Sequence, residues 1–181
     1  VNTTSDLQTI SGNVYDVKAL SHGSVIMAMG NDYYLSLDGE AYSFTKISNP
    51  SGVLTPTTGR SVIAVAPSNE NIIYISRCNS YGSFDGLFKS TDKGQNWKKI
   101  IGGGSDLFKP FTGGTTQGFY DQCLAVFPDN PNKILLGGTE IYEWEEGQNW
   151  KKMSRMFAGW GDHDYVHADI HTFAFHPTKP D

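Results

Sequence analysis

The chain has 181 residues, of which 38% are hydrophobic and 18% are charged, and its formal net charge is -5 at pH 7. This length is enough for one domain with a sizeable core. The absence of a basic face argues against a nucleic-acid-binding protein, and no apolar run is long enough to predict a membrane span. Plentiful glycine and aromatic residues predict many short strands joined by turns.

Residues 1–13 are polar, and we interpret them as a linker or as the tail of a preceding element. No signal peptide is visible, and the chain begins with Val1 rather than Met. We therefore expect it to be a processed or excised piece of a longer protein. Asn2–Thr4 matches the N-glycosylation sequon, a short pattern that often occurs by chance.

From residue 14 onward the chain repeats a unit of short strands separated by turn residues. Two of the units begin with an apolar inner strand, and this strand is followed by an Asn-containing turn. Pro67, Pro128 and Pro177 mark the end of that strand in three places. The units are predicted over about 14–47, 60–101 and 121–153, with the start of a next unit over 167–181.

The stretch Ser90–Trp97 reads S-x-D-x-G-x-x-W. The side chains of Ser90 and Asp92 suit a hairpin turn because they form hydrogen bonds with nearby backbone groups. Gly94 supplies the positive φ that a tight turn often needs, and Trp97 offers a large apolar face for burial. The motif therefore predicts a structural strand–turn–strand unit rather than a ligand site.

Two other units carry degraded copies of this motif. Phe44, Trp97 and Trp150 are equally spaced along the chain, and Gln-Asn-Trp-Lys-Lys occurs at both 95–99 and 148–152. Such self-similarity indicates internal duplication. In the third unit, glutamates replace the serine and the aspartate. The residues that retain their places are Ser36 and Asp38 in the first copy and Gly147 and Trp150 in the third, with Phe44 in place of the first tryptophan.

The repeated turn resembles the Asp-box, or BNR repeat, of the β-propellers of sialidases, xyloglucan-degrading glycoside hydrolases and sortilin-type receptors. The resemblance covers about residues 14–181. It implies an all-β fold with blades of four antiparallel strands, about three blades plus the first strand of a fourth. Propellers close with roughly 4–8 blades, so we expect an incomplete ring from a larger propeller. The missing blades would come from the rest of the parent chain or from partners.

The sortilin-like and xyloglucanase-like branches are the nearer ones, because their units combine an inner strand ending in Pro-x-Asn with an Asp-box hairpin. Val166–Pro177 also resembles a segment of large secreted bacterial proteins of this type. The resemblance implies a secreted or cell-surface location, but it does not imply one particular reaction, because one fold hosts many activities.

Catalytic residues of these enzymes are not recognisable in the chain. Sialidases use three arginines to clamp a carboxylate, and none of the three arginines here lies in a sialidase motif. A xyloglucanase needs two aspartates as general acid and general base, and no pair aligns. The arginines are Arg60, Arg77 and Arg155, and the candidate aspartates are Asp121, Asp162, Asp164 and Asp169.

The densest chemistry lies in Gly159–His171, which holds three of the five histidines. If 167–171 is extended, His167, Asp169 and His171 project to one face. Three interpretations stay open: a transition-metal site, a structural Asp–His network, and a ligand-contacting site that also includes Trp160 and His163. No cofactor is expected.

Aromatic residues in the predicted loops are a second candidate site. They could stack on sugar rings or anchor a protein partner, or they could fill gaps between blades. They are Tyr81, Phe84, Phe108, Phe111, Phe119, Tyr120 and Trp160.

Two functions are compatible with these patterns. The first is a non-catalytic extracellular binding or scaffold propeller, whose partners are the rest of the parent propeller, a protein or a polysaccharide. The second is a segment of a xyloglucanase-like glycoside hydrolase. The missing catalytic pair and the incomplete ring favour the first. For Cys78 and Cys123 we favour two buried free thiols over a disulfide.

Overall fold

The computed structural model describes residues 12–47, 53–54, 59–102, 110–111, 117–159 and 161–179. Twelve strands form three four-stranded antiparallel sheets. Within the described residues the sheets do not close into a ring. The expected fold class, all-β with blades of four antiparallel strands in an incomplete ring, is confirmed. The described part contains no helix long and apolar enough to cross a membrane.

Each sheet is a meander in which strands pair in chain order. The first sheet contains β1 (Val14–Ala19), β2 (Val25–Met29), β3 (Asp32–Ser36) and β4 (Thr45–Lys46). The second contains β5 (Ser61–Val65), β6 (Ile73–Cys78), β7 (Phe84–Ser90) and β8 (Lys98–Gly102). The third contains β9 (Cys123–Val126), β10 (Lys133–Gly137), β11 (Ile141–Glu145) and β12 (Lys151–Lys152). A short helix, α1 (Gln117–Tyr120), precedes β9.

The sheets stack face to face around neighbouring inner strands. Strand β5 contacts both β1 and β9, so the first strands of the three sheets lie side by side. The second sheet is covered on both faces, and every residue of β6 is buried. This explains why its sequence is apolar without alternation, since a strand that is buried on both faces has no polar side.

Two apolar cores lie between the sheets. The core between the first and second sheets includes Ile26, Tyr33, Ile63, Ile75, Phe88 and Trp97. The core between the second and third sheets includes Ala64, Tyr74, Leu87, Val126, Ile134 and Trp144. Burial of these large side chains is the main favourable term that holds one sheet on the next.

The meander sorts the loops to two ends of the sheets. The links between sheets lie at the same end as the turns between second and third strands, and we call this the link end. There, the backbone N–H of Gly118 donates to the carbonyl of Gly82 at 3.0 Å. The remaining turns share the opposite end, the turn end, where the N–H of Lys93 donates to the carbonyl of Asn71 at 3.0 Å.

The 90–97 turn is closed by side chains of its own sequence. The hydroxyl of Ser90 donates to Asp92 at 2.8 Å and accepts the N–H of Gly94 at 2.8 Å. Asp92 also accepts the backbone N–H of Asn96 at 2.8 Å. Gly94 has φ 88, the left-handed conformation that favours glycine. The indole N–H of Trp97 donates to the carbonyl of Gly94 at 2.9 Å, and Trp97 is only 4% exposed.

The first and third sheets keep different parts of this turn. In the first, the N–H of Gly39 donates to the hydroxyl of Ser36 at 2.7 Å, and the N–H of Glu40 donates to Asp38 at 3.0 Å. Phe44 is half-buried behind this turn. In the third, Gly147 keeps a positive φ of 83, whereas the serine and aspartate bonds are absent because glutamates occupy those positions.

The segment expected as the first strand of a fourth blade lies along the third sheet. The N–H of Ile170 donates to the carbonyl of Gly138 at 2.9 Å, and the ring of Phe175 lies 4.8 Å from that of Phe127. Residues 171–175 form no strand ladder with any described residue. An inner strand pairs with the second strand of its own blade, and no such strand follows among the described residues.

Replacing Asp92 by alanine tests the role of the turn. Although burial opposes ionisation, hydrogen bonds from Asn96 and Ser90 hold the pKa of Asp92 below its ordinary value. At neutral pH the Asp92→Ala variant should therefore unfold with a free energy lower by about 1–2 kcal/mol, the value of the lost bonds. Urea denaturation measures this difference.

The matched control is Asp129→Ala, because Asp129 is an exposed turn residue of the third sheet. Its substitution should change the free energy of unfolding by less than about 0.5 kcal/mol. Equal effects of the two substitutions would contradict the structural role of Asp92.

Candidate functional site

A cavity of about 320 Å³ lies near the link end, where the inner strands of all three sheets approach one another. We call it the inner-strand cavity. Most of its walls come from β1, from the start of β5 and β9, and from residues 171–173. Several lining side chains carry charges or amides: Asp16, Lys18, Arg60, Gln122 and His171. A cavity that gathers polar groups from several elements is the default candidate for a binding site.

Hydrogen bonds between the sheets fix the polar lining. The carboxylate of Asp16 accepts the backbone N–H of Ile63 at 2.7 Å, which ties β1 to β5. Gln122 is buried, and its side-chain oxygen accepts the hydroxyl of Ser76 at 2.7 Å. The guanidinium of Arg60 donates to the carbonyl of Tyr120 at 2.8 Å, so it caps the short helix α1. The lining is therefore held in place before any ligand binds.

Asp121 lies next to this lining and is fully buried. Neither of its carboxylate oxygens has a hydrogen-bond partner among the described residues. The pKa of Asp121 is raised from 3.8 to about 6, mainly by burial; the charge of Asp169 acts in the same direction, while the residue's own backbone N–H, His171 and Arg60 oppose the shift. A buried acid without a partner is costly for stability, and such groups cluster at functional sites.

Asp162 and Asp164, in the 159–171 segment, form hydrogen bonds within that region of the surface. Asp164 accepts two hydrogen bonds from the guanidinium of Arg155, at 2.6 and 2.8 Å, and this partner holds the pKa of Asp164 below its ordinary value. Asp162 accepts the backbone N–H of Gly159 at 2.9 Å, which closes a local turn. Neither carboxylate lines the inner-strand cavity. His163 is exposed, and Trp160 lies outside the described residues.

Residues 167–171 are not extended throughout, so the condition under which His167, Asp169 and His171 would share one face is not met. Asp169 has φ 75, so the backbone leaves the extended conformation in the middle of the segment. The ring of His171 instead lies edge-on to Tyr120, at 4.7 Å between centroids, and Nδ1 of His167 lies 2.8 Å from the carbonyl oxygen of Ala168. Within the described ranges no group of three His, Cys, Asp or Glu residues is arranged to hold a metal.

The loop aromatics divide into buried and exposed residues. Phe111 is buried against Phe84 with 5.7 Å between centroids, and Phe84 belongs to strand β7 rather than to a loop. Tyr81 and Tyr120 are 73% and 60% exposed at the link end. Phe119 is also exposed. Phe108 lies outside the described residues. Among the described members of the predicted set, the exposed ones, Tyr81, Phe119 and Tyr120, are available to a ligand.

Both cysteines are buried thiols and neither forms a disulfide, as expected. Burial raises the pKa of Cys78 to about 11 and that of Cys123 to about 12. Both thiols therefore remain protonated at neutral pH, and they behave as small apolar residues.

The sequence patterns did not single out Asp16 and Gln122 as lining residues. Asp16 lies within β1, whose sequence alternates, and Gln122 directly precedes β9. The available signal was position: a polar residue at the link-end half of an inner strand faces the place where the sheets meet. Arg60 lies in no sialidase motif, and in the structure its guanidinium caps α1.

No family model and no curated protein matches the chain. Solved structures do match. The GH74 enzyme of Niastella koreensis superposes with a TM-score of 0.59 at 19% identity, over 88% of this chain and 23% of that one. YCF48 from Cyanidioschyzon merolae superposes with a TM-score of 0.54 at 14% identity, over 80% of this chain and 38% of that one. The GH74 xyloglucanase from Xanthomonas campestris superposes with a TM-score of 0.51 at 16% identity, over 73% of this chain and 20% of that one.

These superpositions, together with the three stacked meanders, decide the fold. The chain is part of a β-propeller. Its three sheets are propeller blades, and the inner-strand cavity lies on the side of the propeller axis. The chain spans between a fifth and two fifths of the length of these three matched proteins. At such low identity the likeness extends to the fold alone.

The Asp121→Asn variant tests the strain at the buried acid of the propeller. The folded state holds the Asp121 proton more tightly than the unfolded state, so the stability of the wild type should fall as pH rises from about 4 to about 6. The neutral variant lacks this loss. Relative to the variant, the wild type should lose about 2–3 kcal/mol of unfolding free energy between pH 4 and pH 7.

Urea denaturation at a series of pH values gives this difference. Asp129→Asn, which changes an exposed carboxylate, is the control and should follow the wild type. A pH profile of Asp121→Asn that runs parallel to the wild type would contradict the buried, unpartnered state of Asp121.

Proposed function

We propose that this propeller segment is a non-catalytic binding part of a larger secreted or cell-surface protein, and that it contacts a polysaccharide through its link end. The observation that carries the proposal is the inner-strand cavity, whose polar lining comes from all three blades and is fixed by hydrogen bonds. The rest of the parent propeller completes the ring around the same axis.

The chemistry of the link end suits a carbohydrate. Lys18 and Arg60 line the cavity and provide donors for the hydroxyl groups of a sugar. The exposed ring of Tyr120 stands beside His171 at the cavity, and an aromatic face of this kind can pack on the C–H face of a sugar ring. Matched GH74 enzymes, one of them described as a xyloglucanase, support the same class of ligand.

The described carboxylates favour binding over catalysis. A glycoside hydrolase acting by general acid and base needs two carboxyl groups that face the scissile bond. Asp16 is tied to the N–H of Ile63 and to Lys18, and Asp164 is paired with Arg155. Asp121 is fully covered by the protein. Each of these three carboxylates is thus either held by a partner or covered by the protein.

One observation favours the second candidate, a segment of a glycoside hydrolase. The pKa of Asp121 is raised to about 6, which is a value suited to a general acid. In this case Asp121 would donate a proton to the glycosidic oxygen, and the opposing base would come from residues beyond the described blades.

Titration calorimetry with xyloglucan oligosaccharides tests the binding proposal. Tyr120→Ala should weaken binding about tenfold, because the stacking surface beside the cavity is lost. Tyr42→Ala is the matched control, since Tyr42 is an exposed tyrosine of the turn end. Binding that is unaffected by Tyr120→Ala, or affected equally by both substitutions, would contradict a link-end site.

Release of reducing sugar from xyloglucan separates the two candidates. Under the binding proposal the protein releases no reducing sugar, and the Asp121→Asn substitution does not alter this result. Hydrolysis that disappears in Asp121→Asn, and that declines in the wild type above about pH 6 as the acid loses its proton, would overturn the binding proposal and establish the enzyme.

A further inference from the structure

A groove of about 360 Å³ lies on the circumference of the propeller, between the outer strand of the second blade and the last turn of the third. We call it the rim groove. One wall is formed by residues 98–101 and the other by Trp144 and residues 146–150. It lies toward the turn end and away from the inner strands, so it is separate from the cavity of the proposed function.

The rim groove owes its aromatic surface to the degraded third turn. In the second blade, Trp97 is sealed by its bond to the carbonyl of Gly94 and by the packing of the turn. In the third, Glu143 stands where Ser90 does, and it pairs with Lys133 at 3.3 Å instead of closing the turn. Trp150 is only half-buried there.

The indole of Trp150 is supported from behind. Its ring is nearly parallel to that of Trp144, with centroids 5.9 Å apart and an interplanar angle of 26°. Trp144 is buried in the core between the second and third blades. The groove therefore contains an aromatic face held in one orientation, which lowers the entropic cost of stacking a ligand on it.

The charge of the rim groove is positive. Lys98 is exposed and has no ion pair among the described residues. It lies opposite Lys89 in the ladder of β7 and β8, and the Lys89 ammonium already pairs with Glu146 at 2.9 Å. The ammonium of Lys99 instead lies over the ring of Phe88, 5.5 Å from its centroid. The charge of Glu146 is thus neutralised by Lys89, and the ammonium of Lys98 is available to pair with an anionic ligand.

We propose that the rim groove binds an acidic saccharide. The ring of a uronic-acid unit stacks on Trp150, and its carboxylate pairs with the ammonium of Lys98. The exposed amides of Gln148 and Asn149 provide donors and acceptors for the hydroxyl groups of the sugar. The rim groove thus recognises a charged sugar, whereas the donors and the tyrosine of the link end suit the hydroxyl groups and ring of a neutral sugar.

Titration calorimetry on the 181-residue chain tests this site with two probes of equal length, tetragalacturonate and neutral cellotetraose. The acidic probe should bind more tightly, and added salt should weaken it. Lys98→Gln should weaken tetragalacturonate binding about tenfold. Lys151→Gln is the matched control, because Lys151 is also exposed but lies opposite Glu143 in the ladder of β11 and β12, on the face turned away from the second blade.

Lys98→Gln leaves the core intact, so the test does not depend on a variant that disturbs folding. Trp150→Phe, checked by thermal unfolding, should weaken the acidic probe as well. Tyr120→Ala should leave it unchanged, which distinguishes this site from the link end. Equal binding of the two probes, or equal effects of Lys98→Gln and Lys151→Gln, would overturn the proposal.

Discussion

Face-to-face packing of the meanders is the constraint on which the rest of this structure depends. The second blade has apolar side chains on both faces, and neither face can be exposed to water without a large loss of hydrophobic free energy. Its neighbours must therefore lie on either side, which brings β1, β5 and β9 together at the axis. Ion pairs add to this order at the edges, as where the buried Lys89 of one blade meets Glu146 of the next.

This packing separates the structural turns of the molecule from the surfaces that a ligand can reach. At the turn end, the 90–97 turn uses its polar side chains to satisfy its own backbone, so little is left for a ligand. At the link end, Arg60 and Gln122 form hydrogen bonds beside the inner strands, and no described residue forms a hydrogen bond with the carboxylate of the buried Asp121. Where the turn motif has decayed, as around Trp150, the same scaffold exposes an aromatic surface. Local loss of a structural motif thus provides a position at which a binding site can arise.

The sequence predicted the fold, but it did not single out Asp16 and Gln122 as residues that line the cavity, for physical reasons. Strands and turns follow from local patterns, such as the prolines that follow β5 and β9 and the repeated tryptophan, and both are visible in one chain. The cavity depends on which residues of different blades meet at the axis, which is not encoded locally. The expected face of His167, Asp169 and His171 failed at a single backbone angle, the positive φ of Asp169. No periodicity rule could anticipate that angle, because non-glycine residues seldom adopt it.

Hydrogen exchange of the backbone amides, measured residue by residue on the isolated chain, tests the packing account most directly. The account predicts the slowest exchange in β6, the strand that is buried along its whole length in the blade covered on both faces. Strands β1 and β12, which belong to blades covered on one face among the described residues, should exchange faster. Exchange in β6 that is as fast as in β1 and β12 would contradict the claim that stacking of the blades holds this propeller together.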